Sequence, residues 1–139
     1  MRRVVAIKRK HILALVVVAV VIAGIGIGIA VIKSKVAGLE RQFAGITVSE
    51  VELAGIADGI YSGSCAMFPV SAEVKVTVKD HVITAIELVS HNHGRGAAAE
   101  VIPDRVVEAQ TLQVDVISGA TYSSKVILKA IENALAGAE

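Results

Sequence analysis

The residues best able to do chemistry gather in one short stretch, Asp115-Val116-Ile117-Ser118-Gly119-Ala120-Thr121-Tyr122-Ser123-Ser124. Hydroxyls crowd it, and Gly119 and Ala120 leave the backbone open to close approach. Beyond it, Val126, Ile127, Ala130, Ile131, Ala134 and Leu135 recur at helical spacing, so a helix is expected to start within the stretch. Ser118 is expected as its N-cap, with Thr121 in the first turn among unpaired N–H groups and at the positive end of the helix dipole. A phosphate attached or docked there meets donors and a favourable field. The same pattern also reads as an ordinary serine cap ahead of an amphipathic helix.

A second group of functional side chains is His91-Asn92-His93-Gly94-Arg95-Gly96. Its two imidazoles invite a metal, but the only thiol is the distant Cys65 and the spacing supplies no third ligand. No metal site is expected. A single cysteine also excludes an internal disulfide and a Cys-x-x-Cys-His haem site. There is no phosphate-binding glycine loop of the nucleotidase kind.

The elements that must position these groups follow from periodicity. Glu73 to Lys79 alternates valines with polar residues, as a half-buried strand does. Asp80-His81 is a turn, and Val82 to Val89 returns as the second strand of a hairpin. Asp58 to Ser64, with glycines at 59 and 63, predicts an earlier strand. Pro103-Asp104 has the character of a helix start. Together these give an α+β domain over 58–139, with a mostly antiparallel sheet and a C-terminal helix.

Several of these blocks, in this order, resemble the FMN-binding domain family. They are Asp58-Gly59-Ile60-Tyr61-Ser62-Gly63, the loop from His91 to Gly96, and Asp115-x-x-Ser118-Gly119-Ala120-Thr121 followed by Tyr122-Ser123-Ser124-Lys125. The resemblance covers roughly Asp58 to Leu135. It implies that a flavin transferase links FMN through its phosphate to the hydroxyl of Thr121. It also makes Asp115, Ser118, Gly119, Ala120, Ser124, Lys125, His91 and Gly94 the further cofactor-binding candidates. Asp115 would orient or activate the threonine hydroxyl, or cap a turn. Lys125 would pair with the phosphate, or be a surface lysine. Gly94 and Gly96 would allow close backbone approach, with His91 or Arg95 near the polar edge of the flavin. Family members often carry Asp-Gly where this chain has Asp80-His81.

Outside that domain, Ile12 to Ile32 gives 21 uncharged positions. As a helix they reach about 31 Å, the thickness of a bilayer core. The expected organisation is a basic cytoplasmic tail (1–11), a transmembrane helix (12–32), a linker (33–57) and the FMN-binding domain (58–139). A cleaved signal peptide is the rival, but its apolar core is usually shorter. Arg2, Arg3, Lys8, Arg9 and Lys10 precede the span, against Lys33 and Lys35 just after it. That bias predicts a cytoplasmic N-terminus and an extracytoplasmic domain. All 13 acidic residues follow the span, leaving the rest of the chain net acidic, which argues against nucleic-acid binding. Gly24 and Gly28 are one turn apart, a spacing that lets membrane helices approach closely and that is also common in such helices.

Aromatic residues make up 3% of the chain, with no Trp. Tyr61, Phe68 and Tyr122 are the available walls, few for a pocket that must enclose a loose flavin. A covalent tether removes that need. The expected function is a membrane-anchored extracytoplasmic electron carrier, partnered by the flavin transferase, a membrane redox donor and an extracytoplasmic acceptor. The alternatives are a flavin-dependent reductase module acting on a small acceptor, and a non-redox anchored binding or assembly module.

Overall fold

Two kinds of apolar pattern, one continuous and one periodic, divide the molecule. The computed structural model describes residues 9–138, so residues 1–8 of the expected basic tail lie outside the described residues. The continuous pattern forms helix α1 (Arg9–Ala44). Within its stretch His11–Lys35 the most apolar 18-residue window has a mean hydropathy of 3.1 and no buried residue, and the helix is long and apolar enough to cross a membrane. By packing, the chain divides at Gln42.

The second unit, Gln42–Glu139, is built on a three-stranded antiparallel sheet in the order β1 (Gly59–Met67), β2 (Val70–Lys79) and β3 (Val82–Asn92). The α+β class expected from the sequence is the one observed. In β2 the alternation buries Val74, Val76 and Val78 and turns Glu73, Lys75 and Lys79 outward. The hairpin turn is Asp80-His81, both residues left-handed (φ 52° and 63°), as a two-residue turn matched to strand twist requires. Asp58 Oδ1 accepts the Asp80 N–H at 2.8 Å and ties the turn to the start of β1. His81 thus occupies the left-handed position where a glycine was expected from the resemblance.

Helix α3 (Thr121–Ala136) covers one face of the sheet with the predicted stripe: Val126, Ile127, Ala130, Ile131, Ala134 and Leu135 are all buried. The approach is close at Gly63. A β-carbon there would collide with the backbone of Ala130 and Ala134, so only glycine lets the helix lie this near β1. Helix α2 (Ile102–Ala109) follows a short 3-10 turn, Ala97–Val101, and carries Pro103 in its first turn. It ends at Gln110, whose side chain bonds both backbone groups of Ile83 (2.9 and 2.8 Å) and pins the helix end to β3.

The stretch expected to be a linker is ordered differently. It is helical to Ala44, and Phe43 and Ile56 are fully buried in the second unit. Gln113 Nε2 donates to Val48 O (3.2 Å), and Thr111 Oγ1 to Glu50 Oε2 (2.7 Å). The residues from Gln42 onward therefore belong to the second unit, with Phe43 and Ile56 in its core, and only the part of 33–57 before Gln42 falls outside it.

Candidate functional site

Helix α3 begins at Thr121, with Ala120 as N-cap and no side-chain cap bond. Ser118 is not the cap. It lies exposed in a turn closed by Ala120 N–H to Ile117 O (2.9 Å), with Gly119 at φ 79°, a conformation that favours glycine. The hydroxyl that fixes this turn comes from inside the helix. Ser124, fully buried, donates to Ala120 O (2.9 Å) and accepts from the Ile117 N–H (3.0 Å). The first intrahelical bond runs from Ser124 N–H to Ala120 O. The N–H groups of Thr121, Tyr122 and Ser123 consequently have no acceptor within the helix.

Those three residues open onto a cavity of about 260 Å³. The loop His93 to Gly96 forms one wall, Pro69 and Val70 another, and Gly119 and Ala120 complete it. The loop can sit against α3 because Gly96 has no side chain; a β-carbon there would collide with Ser123 Oγ. Tyr122 is held by stacking on Phe43, with centroids 4.2 Å apart and planes 26° apart. At Gly119, by contrast, a β-carbon would enter open space. Bare helix N–H groups in a cavity that Arg95 also lines make a cradle for an anion.

Residues 70–136 match the FMN-binding domain family. The chain carries an FMN-binding domain. Among curated relatives, the NADH:acrylate oxidoreductase of Vibrio harveyi is 40% identical over 65 residues, which are 45% of this chain and 6% of that protein. An uncharacterized protein of Treponema pallidum (strain Nichols) is 32% identical over 81 residues, 56% of this chain and 22% of that one. The chain thus spans less than a quarter of the length of either relative.

Within the FMN-binding domain, the residues singled out from sequence separate into groups. Thr121, Gly119, Ala120 and Gly94 line the cavity together, and Thr121 is solvent-exposed. Ser124 lies beneath it as a brace. Asp115 instead lines a separate shallow hollow with Arg105 and Glu108. Lys125 Nζ reaches the carbonyl of Phe43 (3.4 Å). His91 is turned inward, its side chain 2% exposed, while His93 faces the cavity. Spacing did not reveal Val70 or Pro69, whose places depend on how the start of β2 meets α3.

Two further features complete the picture. Glu100, on the 3-10 turn, meets both imidazoles: Oε1 lies 3.2 Å from His91 Nδ1 and 3.7 Å from His93 Nε2. That is the third group which spacing alone did not supply. A larger, open hollow of about 490 Å³ carries Cys65, Lys129 and Asn133 but none of the motif residues. Burial pushes the Cys65 thiol up, and the Lys129 charge offsets part of that.

Proposed function

We propose that the protein is a membrane-anchored electron carrier whose FMN is esterified through its phosphate to Thr121 Oγ1. The observation that carries this reading is an exposed threonine at the first position of α3, inside the sequence stretch that matches the FMN-binding domain family. Its surroundings fit a phosphate: three helix N–H groups without intrahelical acceptors, Arg95 in the lining, and glycines at 94, 96 and 119. The cavity supports a tether, since about 260 Å³ is smaller than the roughly 300–1,000 Å³ of pockets that enclose a small molecule.

Bound FMN supplies the redox chemistry, and the protein supplies position and surroundings. Arg95 and the first turn of α3 hold the phosphate, Ser124 fixes the turn that presents Thr121, and the Phe43–Tyr122 stack stiffens the adjoining wall. In this reading a flavin transferase makes the ester. The apolar helix then anchors the chain with its N-terminus in the cytoplasm, and the domain mediates between a membrane donor and an extracytoplasmic acceptor. NADH and acrylate are named for the Vibrio protein, of which this chain spans 6%. The small size of the cavity favours a carrier over a reductase module.

The test is intact mass with peptide mapping after co-expression with a flavin transferase. Wild type should gain one FMN-phosphoryl group on the peptide containing Thr121, and Thr121→Ala should gain none. An unmodified wild-type chain would remove the proposal. An adduct that persists in Thr121→Ala would move the site elsewhere.

A further inference from the structure

We infer that His91, His93 and Glu100 form a binding site for a late first-row divalent cation, Zn²⁺ being the representative case. Two imidazoles and a carboxylate are the ligand set of an open three-residue zinc centre, and they are poor company for Mg²⁺ or Ca²⁺, which take oxygen ligands. The spacing fits. Ligands about 2.0–2.2 Å from a tetrahedral or octahedral ion lie about 3–3.6 Å from one another. The two carboxylate-to-imidazole separations are 3.2 and 3.7 Å, and all three ligand atoms fall within 4.8 Å. The rings stand 4.6 Å apart, tilted by 42°.

The local structure can close such a site without refolding. His91 is anchored, its side chain 2% exposed on β3. His93 is 28% exposed and Glu100 49%, so both can adjust around an ion that enters from solvent. His91 Nε2 has no hydrogen-bond partner among the described residues. Nothing on that side fixes the tautomer, and Nδ1 is free to face Glu100 either as an N–H donor or as a bare lone pair. With three protein ligands, a fourth position is left for water or another group. His93 also lines the Thr121 cavity, so an ion here would stand at its margin.

The inference does not rest on the flavin reading, and its test uses the full chain in detergent, expressed without a flavin transferase. Zn²⁺ is titrated against a chromophoric chelator. Wild type should bind one Zn²⁺ per chain, undisturbed by excess Mg²⁺. His93→Ala and Glu100→Gln, both at partly exposed positions, should each weaken binding about tenfold or more, since even changes behind the ligands act on that scale. His81→Asn, at the other end of β3, should bind as wild type does. The inference is overturned if no stoichiometric binding occurs. It is equally overturned if the His93 and Glu100 variants bind like wild type, or if the loss falls on His81→Asn instead.

Discussion

Two apolar helices make opposite use of similar residues. Between His11 and Lys35, α1 is apolar all round and its aliphatic side chains are exposed, Ile22 at 63%. In α3 the apolar residues keep to one face and are buried against the sheet, Ile131 and Leu135 completely. Composition and periodicity both separate the two: Ile12 to Ile32 carries no charge, whereas α3 carries Lys125, Lys129 and Glu132. A helix without a polar face has no side to give to water and needs an apolar surrounding on every side. A helix with one polar face can finish a core and still present its N-terminus to solvent. Only the second kind can hold Thr121 at an exposed first turn while its remaining turns are fixed by packing.

The sharpest way to break this comparison is to truncate matched isoleucines. Ile131→Ala should destabilise the second unit by about 2–5 kcal/mol, through lost burial and the cavity left behind. Ile22→Ala should leave that unit within about 0.5 kcal/mol of wild type. Denaturant unfolding followed by far-UV circular dichroism in detergent measures both. Equal losses from the two variants would mean that α1 also belongs to the domain core.

A matched pair of serines probes the same difference at smaller scale. Ser34 and Ser124 each donate to a carbonyl of their own helix at 2.9 Å. Ser34 is exposed, and its bond spans only the local turn. Ser124 is buried and also accepts the Ile117 N–H, so Ser124→Ala strands a donor beneath the functional turn. That variant should cost about 1–3 kcal/mol, and Ser34→Ala well under 1 kcal/mol. If Ser124→Ala proves as mild as Ser34→Ala, the brace under Thr121 is not structural.

Much of this was readable from the chain because it was written in local periods. The valine alternation of β2, the Asp80-His81 turn and the stripe of α3 each follow from neighbours in sequence, and each formed where expected. The misplaced cap has an equally local cause. Ser118 has the right residue type, but Gly119 takes up a left-handed turn and delays the helix to Thr121, so Ser124 fills the bracing role. What escaped was non-local. Phe43 and Ile56 are single apolar residues with no period around them, and their burial depends on residues far along the chain. Glu100 lies nine positions from His91, a spacing no regular element would bring together; the 3-10 turn folds it back onto both imidazoles.

The smallest expected effect is electrostatic and again marks α3 as the helix with a partner. Lys129, on its polar side, lines the same hollow as Cys65 of β1. Burial holds the Cys65 thiol above its usual range, and the lysine charge pulls it partly back. Since the thiolate is the reactive form, alkylation of Cys65 should be slow at neutral pH and rise with a midpoint above that of a free cysteine. Lys129→Met removes the cation and leaves the burial, so the midpoint should move further up and the thiolate fraction at a fixed pH fall about twofold, the scale of a partly exposed charge interaction. The pH profile of alkylation by mass spectrometry reads this midpoint separately from access to the hollow. A downward shift in Lys129→Met would mean that the lysine acts on Cys65 by covering it, and that the charged face of α3 has no electrostatic hold on the sheet at this point.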